Sequence, residues 1–273
     1  MEKDQKIFLL KPIVFKKIWG CEKWLLSTIE DASSFFYDKN GISSVNSLFD
    51  ESFSLLIKII EANETLSVQV HPDDKYALEN EKSVGKTECW YVLDAKPNSV
   101  IVAGLKGDFS KEELSLAIKE NRIKSYLAEC SVEKGDLIFI PAGTVHAIKG
   151  GLKLLEIQQA SDITYRLYDW GRSRELHIEK ALDVIKNCFS EPVKSFSGVF
   201  KCDYFSIEKQ EVNGIQSINM PNDWIFLFII DGSGSIKCDS EKIKVTKDSA
   251  ILIAPNAKIQ ISGEVSFLKI YSK

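Results

Sequence analysis

Residues 65–71 contain the first side chains whose types and spacing suit metal binding. The segment reads TLSVQVH, with polar and apolar residues alternating. Successive side chains of a strand point to opposite faces, so Gln69 and His71 are predicted on one face, close enough to share an ion. The opposite face takes Leu66, Val68 and Val70. The alternative is that the polar face simply meets solvent, as most polar residues do.

A second, independent pattern favours the metal interpretation. Gly135, Pro141, Gly143 and His146 lie in GDLIFIPAGTVH. With this spacing one strand ends in a Pro-Gly turn and the next returns a histidine to the interior of a barrel. The arrangement resembles the second motif of the cupin family. Together with the histidine strand upstream, it predicts a metal site inside a β-barrel.

A carboxylate completes the expected ligand set. The first cupin motif usually supplies two histidines at i and i+2 and a glutamate, and here Gln69 occupies the first histidine position. The next carboxylate on a predicted strand is Glu88, after a 16-residue excursion that can hold a short helix. Asp73 and Asp74 are rivals, but their place after Pro72 favours helix capping. Two histidines, a carboxylate and an amide oxygen suit zinc with one open position.

Short β runs separated by turns follow from about residue 53, which predicts an antiparallel barrel or sandwich. Two helices are expected among them. Ser110 and Glu113 form a capping-box pattern at the start of the first, and residues 175–186 place apolar side chains on one stripe for the second. The predicted fold is mainly β, a double cupin of jelly-roll barrels with a few short helices.

A linker is expected near residues 190–197, where Pro192 and several serines stand. We therefore predict an N-terminal catalytic cupin domain with short helical insertions over residues 1–190. Residues 191–273 are predicted to form a degenerate cupin-like β domain. All three histidines, at positions 71, 146 and 177, precede it. The second domain is accordingly predicted to bind no metal.

The overall composition excludes several classes of partner. The 273-residue chain is 44% hydrophobic and 27% charged, with a net charge of -4 and scattered lysines, which argues against nucleic acid or anionic lipid. The N-terminus has no signal-peptide core and no segment approaches a membrane span. Six cysteines without a CxxC pair indicate reduced thiols. We expect a cytoplasmic protein, as a monomer or weak homodimer.

Four segments resemble one family, type I mannose-6-phosphate isomerase in its short bacterial form. They are LSVQVHPDDKYA, GKTECWYVLDA, PAGTVHAIKGGLKLLEIQQASDITYRLYDWGR and ELHIEKALDVI, spanning roughly residues 60–186 with a weaker match at KKIWG. The resemblance implies one zinc ion per chain and interconversion of mannose 6-phosphate and fructose 6-phosphate through an enediol. The ligands that it implies are Gln69, His71, Glu88 and His146. Cys21 departs from the second glycine that many relatives carry.

The same resemblance implies a set of catalytic and substrate-binding residues. The family's catalytic arginine falls on Arg166, which would face inward and stabilise the oxyanion of the enediolate. An outward, ion-paired arginine is the alternative. Lys86 is either the proton carrier or a phosphate ligand, and Ser67 could contact phosphate from the Gln69 face. Asp162 would orient Arg166 or transfer a proton, unless it is only a turn residue.

Two other functions remain to be weighed. The cupin fold hosts many chemistries, including iron-dependent oxygenases. Gln69 in place of a histidine, together with Lys86 and Arg166, suits an anionic sugar phosphate better than an apolar substrate. A non-catalytic, regulatory cupin would have lost ligands or gained a DNA-binding helix pair, and the sequence shows neither.

Overall fold

The protein is mainly β, as predicted. Its structure, a computed structural model, describes residues 5–38, 41–51 and 53–273. The strands in that part of the chain are β1 (Ile7–Lys11), β2 (Ile13–Lys17), β3 (Gly20–Leu26), β4 (Phe35–Asp38), β5 (Gly41–Ser44), β6 (Leu55–Ala62), β7 (Val68–Val70), β8 (Glu88–Ala95), β9 (Val100–Leu105), β10 (Leu127–Ser131), β11 (Leu137–Ile140), β12 (His146–Ile148), β13 (Leu152–Gln159), β14 (Tyr165–Tyr168), β15 (Val199–Lys201), β16 (Phe205–Asn219), β17 (Ile225–Cys238), β18 (Glu241–Thr246), β19 (Ala250–Ile253) and β20 (Lys258–Ser272). The helices are α1 (Asp74–Glu81), α2 (Lys111–Lys119) and α3 (Ile178–Val184), with 3-10 turns at Val45–Leu48 and Ile123–Tyr126.

The chain forms two compact units. The barrel unit comprises Val14–Trp24 and Leu55–Phe196. The C-terminal unit comprises the described residues of Met1–Ile13, Leu25–Ser54 and Ser197–Lys273. This grouping differs from the expected division at residue 190. The early segments join the C-terminal strands because β1 hydrogen-bonds to β19 and β4 hydrogen-bonds to β1.

Two sheets of the barrel unit enclose its core. The five-stranded sheet has the order β10-β9-β12-β7-β14, and the six-stranded sheet has the order β11-β8-β13-β6-β3-β2. Trp90 and Leu154 of the larger sheet pack against Ile101 and Ile148 of the smaller one. The other face of the smaller sheet is covered by α2 and α3. Side chains on the inner faces of both sheets therefore share one interior, as in a jelly roll.

The strand that carries Gln69 begins later than its alternating pattern suggests. Val68 and Val70 pack in the cluster under α2 and α3, whereas Leu66 packs with Trp90 in the barrel core. The prediction that Leu66 shares a face with the two valines is therefore wrong. The backbone of Leu66 is held by residues outside β7. The Leu66 amide donates to the Ile148 carbonyl at 2.8 Å, and Trp170 Nε1 donates to the Leu66 carbonyl at 2.6 Å. Period two holds from residue 68 onward.

The helices follow the sequence signals closely at their starts. Ser110 caps α2 by accepting from the Glu113 amide at 3.1 Å, and the Glu113 carboxylate accepts in turn from the Ser110 amide at 2.8 Å. Asp73 caps α1 through the Tyr76 amide. Helix α3 is shorter than the predicted 175–186. No helix in the described ranges is long and apolar enough to cross a membrane.

The C-terminal unit contains two strands longer than the sequence suggests. The runs IFLFIID and GSIKC, which are separated by a glycine and a serine, both lie in β17, and the runs KIQIS and VSFLKIY, which are separated by a glycine and a glutamate, both lie in β20. The glycines between them do not form turns. A Cβ on Gly232 would overlap the Glu264 carbonyl oxygen, and one on Gly263 would overlap that of Ser233. These glycines permit close approach of paired backbones, a role that a sequence pattern does not distinguish from a turn.

Candidate metal centre

His71, Glu88 and His146 converge inside the barrel unit. One ligand atom from each lies within 4.8 Å of the others. His71 Nε2 lies 3.5 Å from Glu88 Oε2, and His146 Nε2 lies 3.4 Å from Glu88 Oε1. Glu88 opens β8 of the six-stranded sheet, whereas His146 opens β12 of the five-stranded sheet. The cluster therefore lies between the two sheets.

The Pro-Gly turn explains how two distant histidines are brought together. The Thr144 amide donates to the Pro141 carbonyl at 3.1 Å, which closes a tight turn with Gly143 at φ 92°. The Gly143 amide donates to the His71 carbonyl at 2.8 Å. The same short motif thus fixes the backbone of His71 and returns His146 to the interior.

Each imidazole turns an unprotonated Nε2 toward the cluster. His71 Nδ1 lies 2.8 Å from the Ile163 carbonyl, and His146 Nδ1 lies 2.9 Å from the Thr144 carbonyl. A carbonyl oxygen only accepts, so each Nδ1 carries the proton and each Nε2 is left basic. Burial lowers the pKa of His146 to about 4, and burial together with the charge of Lys86 lowers that of His71 well below its ordinary value. Both rings are neutral at physiological pH.

The residues fit a divalent cation. His71 Nε2 and both oxygens of Glu88 are buried without a hydrogen-bond partner in the described chain, although Lys86 Nζ lies 3.5 Å from Glu88 Oε2. Such groups are costly to bury unless a charge or donor satisfies them. Burial, and next to it the charge of Glu156, raises the pKa of Glu88. A cation would satisfy all three atoms, and neutral imidazoles with a carboxylate are donors that zinc accepts.

Gln69 and Ser67 line the same wall. Gln69 Nε2 lies 3.2 Å from His146 Nε2, and the Ser67 hydroxyl donates to Gln69 Oε1 at 3.5 Å. The nitrogen of the amide thus faces His146. Turning the amide over exchanges its two ends without moving the chain, and this would present oxygen to a metal. Gln69 accordingly lies beside the cluster, and its role as a ligand stays a prediction.

Arg166 faces the interior beside Gln69. On β14 it lies directly opposite Gln69 of β7, which in turn lies opposite His146 of β12. Residues directly opposite each other on paired strands share a face. Arg166 Nη1 donates to the Glu175 carbonyl at 2.6 Å, while Nε is buried without a partner in the described residues. This placement favours the inward orientation of Arg166 over the outward, ion-paired alternative.

The remaining two predicted residues are placed differently. Lys86 is buried, with only 4% of its surface exposed, and it lies beside Glu88. Asp162 is exposed, and its backbone carbonyl accepts a bond from the Thr164 hydroxyl at 3.4 Å. The structure therefore brings Lys86 to the cluster and leaves the Asp162 side chain at the surface.

Sequence reasoning missed a buried ionic network below the cluster. Lys58 Nζ lies 2.9 Å from Glu156 Oε1 and 3.7 Å from Glu22 Oε2. Trp90 Nε1 donates to Glu156 Oε2 at 2.9 Å, and its ring stands edge-on to His146 at 5.5 Å. The available signal was one charged residue inside each of the apolar runs LLIKII and LLEI. A charge at such a position indicates a buried partner.

A jelly-roll barrel with a His/Glu cluster between its sheets belongs to the cupin class of proteins. A family model described as phosphomannose isomerase type I, catalytic domain, matches residues 28–122. Another, described as mannose-6-phosphate isomerase, cupin domain, matches residues 197–272. The chain belongs to the type I phosphomannose isomerase family.

Individual relatives agree with this assignment. Mannose-6-phosphate isomerase of Streptococcus mutans is 36% identical over 81% of this chain and 74% of its own length. The crystal structure of mannose 6-phosphate isomerase from Bacillus subtilis superposes with a TM-score of 0.86 at 28% identity, covering 98% of this chain and all of its own. A mannose 6-phosphate isomerase solved in a zinc-bound holo form shares the fold, with a TM-score of 0.78, 15% identity and coverage of 98% of this chain and all of its own.

Proposed function

We propose that this protein interconverts mannose 6-phosphate and fructose 6-phosphate with the help of one zinc ion held by Gln69, His71, Glu88 and His146. The observation that carries the proposal is the set of buried, unpartnered atoms on His71 and Glu88, facing His146 in the barrel of a phosphomannose isomerase. Membership of the family supports the choice of substrate.

The choice of zinc rests on the donor set. Two neutral imidazoles and one carboxylate leave room for an amide oxygen or a substrate oxygen, as in catalytic zinc sites. One relative with the same fold was solved in a zinc-bound form. When bound, a zinc ion supplies Lewis-acid polarisation of a sugar oxygen and a template for its neighbours.

Lys86 is the proposed residue for proton transfer or for phosphate binding. An aldose–ketose isomerisation takes a proton from one carbon and returns it to the next, so it needs a group that can hold that proton in between. Lys86 Nζ is buried 3.5 Å from Glu88 Oε2, at the edge of the ligand cluster. As a neutral amine it would take the proton, whereas as an ammonium it would bind the phosphate as a point charge.

Arg166 is proposed to stabilise the oxyanion of the enediolate. It shares its face with Gln69, and its Nη1 is fixed by the Glu175 carbonyl. A guanidinium held in place stabilises developing negative charge without reorganisation during the reaction. Ser67, buried beside Gln69, is the proposed phosphate contact. Asp162 stays a predicted orienting or proton-transfer residue, and its exposed position gives no support to that role.

The C-terminal domain is proposed to carry no metal, since the three histidines of the chain all precede residue 191. The division into a catalytic cupin over residues 1–190 and a degenerate cupin over residues 191–273 stays a prediction. A cytoplasmic location and a monomer or weak homodimer stay predictions.

An activity assay with a panel of metals tests the proposal. The purified protein, stripped of metal and reloaded with zinc, should convert mannose 6-phosphate to fructose 6-phosphate, followed through a coupled dehydrogenase. His146→Ala, prepared in the same way, is the matched control and should be inactive. Absence of turnover with zinc, manganese, cobalt and iron alike would refute the proposed reaction.

A further inference from the structure

Three consecutive backbone amides ahead of Glu88 are each held by a different acceptor. The Gly85 amide donates to Asp74 Oδ1 at 2.8 Å. The Lys86 amide donates to the Pro72 carbonyl at 3.0 Å, and the Thr87 amide donates to Gln159 Oε1 at 2.9 Å. The segment that presents Lys86 is therefore held at three successive residues.

The two side-chain acceptors are joined to each other. Gln159 Nε2 donates to the same Asp74 Oδ1 at 2.8 Å, and the Gln159 amide donates to the Thr87 carbonyl at 3.2 Å. Gln159 ends β13, and Asp74 is the first residue of α1. The pair thus connects a strand of the six-stranded sheet, the helix that follows His71 and the segment between them.

Gly85 allows this arrangement. A Cβ at Gly85 would lie 2.6 Å from both the Asp73 carbonyl carbon and the Asp74 amide nitrogen. Both are backbone atoms and cannot turn aside. The segment therefore lies against the start of α1, at a distance that only glycine permits.

We propose that Asp74 and Gln159 form a clamp that positions Lys86 for the reaction. The inference rests on the proposed role of Lys86. A lysine side chain has a flexible four-carbon stem, so a mobile backbone would add further uncertainty to the position of its amine. A fixed backbone limits the positions that Lys86 Nζ can take. The clamp fixes the amides on both sides of Lys86, while the Pro72 carbonyl ties Lys86 to the segment after His71. Asp74 and Gln159 are positioning residues and need not touch the substrate.

Substitution at Asp74 tests the clamp. Asp74→Ala removes the acceptor for both Gly85 and Gln159, and it should lower kcat/KM by about 10- to 100-fold, since small misplacements of reacting groups have effects of that size. Asp74→Asn keeps an oxygen at the same place and should recover activity to within about threefold of the parent protein. Zinc content, measured by mass spectrometry, should stay unchanged in both variants.

Asp73→Ala is the matched control. Asp73 caps the same helix through the Tyr76 amide and pairs with Lys186 at 3.0 Å, but it does not bond to residues 85–87. Its loss should lower the melting temperature by about 2–4 °C and leave kcat/KM unchanged. Gly85→Ala is a second test of the clamp. It displaces the segment while keeping both clamp side chains, so it should lower kcat/KM as Asp74→Ala does.

A double-mutant cycle decides whether the clamp acts through Lys86. Lys86→Met should lower kcat/KM strongly, and adding Asp74→Ala to it should cause a further loss of less than about threefold. An equal loss from Asp74→Ala with and without Lys86 would overturn the proposal, as would full activity of Asp74→Ala and Gly85→Ala. Full activity of Lys86→Met would instead refute the role of Lys86, and the clamp with it.

Discussion

Glu88 Oε1 lies 3.4 Å from His146 Nε2, and the two residues begin strands in different sheets of the same barrel. Neither oxygen of Glu88 has a hydrogen-bond partner in the described chain. The pair is therefore a contact between the sheets, and its carboxylate is buried with Lys86 Nζ at 3.5 Å as a counter-charge. A cation between the two residues would stabilise both the fold and the site.

Loss of the Glu88 charge should abolish metal binding. Glu88→Gln keeps the shape but removes the negative charge that compensates a buried cation, so we expect bound zinc to fall from about one to below about 0.1 per chain after dialysis against a chelator. Gln69→Ala should weaken zinc binding by only about tenfold, because a neutral amide contributes less. Zinc content and competition with a chelator measure both. Normal zinc retention in Glu88→Gln would contradict the ligand assignment.

Lys58 should contribute strongly to stability, although it is not a proposed metal ligand or catalytic residue. Lys58→Met leaves Glu156 and Glu22 buried without their common partner, which should cost about 3–5 kcal/mol in the free energy of unfolding. Glu156 and Glu22 accept bonds from Trp90 and Trp24, but these do not replace a charge. Urea denaturation at pH 7 measures the loss.

An exposed ion pair provides the control for Lys58. Lys149 pairs with Glu129 at 2.6 Å, with 26% and 45% of the two side chains exposed. Lys149→Met should therefore change the free energy of unfolding by less than about 1 kcal/mol. Equal losses for the two methionine variants would show that the Lys58 network does not contribute as described.

Asp169 should make the folded state sensitive to acid. Burial tends to raise its pKa, but the hydrogen bond and charge of Arg174, with Arg172, outweigh burial and hold the pKa of Asp169 below its ordinary value. Its two oxygens accept from Arg174 at 2.6 and 2.7 Å. A carboxyl with a lowered folded pKa stabilises the fold above its unfolded pKa of about 3.9, and this stabilisation is lost as pH falls through the folded value.

Asp169→Asn tests this contribution. The variant should be less stable by about 1–3 kcal/mol at pH 7, as for other hydrogen bonds to charged groups. The difference from the parent protein should stay constant down to about pH 5 and narrow below about pH 4. Urea denaturation at several pH values measures it. A difference that stays constant to pH 3 would show that the charge of Asp169 is not its source.

Arg166 should affect turnover without affecting metal content. Arg166→Ala removes a fixed cation beside Gln69 but no proposed ligand, so kcat should fall by about 100- to 1000-fold with zinc retained. Arg166→Lys keeps the charge without the guanidinium geometry and should recover only part of the loss. Steady-state kinetics and zinc analysis check both variants. Loss of zinc in Arg166→Ala would mean that Arg166 supports the metal centre instead.

Local patterns in the sequence predicted that His71 and His146 meet inside one barrel, as they do in the structure. Period two placed Gln69 and His71 together, and the spacing from Pro141 to His146 specified a turn that the structure contains. Family resemblance added Glu88 and Arg166. Each of these features is specified by residues close together in the chain or by a recognisable motif, so a single sequence is enough to predict it.

The network and the clamp depend on pairings that no local pattern specifies. Lys58 lies directly opposite Glu156 in the register of β6 and β13, and a shift of one strand by one residue would turn one of the two side chains to the other face. Gln159 and Asp74 are distant in sequence and come into contact only in the folded barrel. The placement of Leu66 likewise follows from bonds to Ile148 and Trp170, far away in sequence.

Anomalous X-ray diffraction at the zinc absorption edge, on crystals of the zinc-loaded protein, tests the central claim most directly. The account predicts one strong anomalous peak between His71 Nε2, His146 Nε2 and the Glu88 carboxylate, with the Gln69 amide beside it. A zinc-loaded, active crystal without a peak at this position, or with its only strong peak elsewhere in the chain, would contradict it.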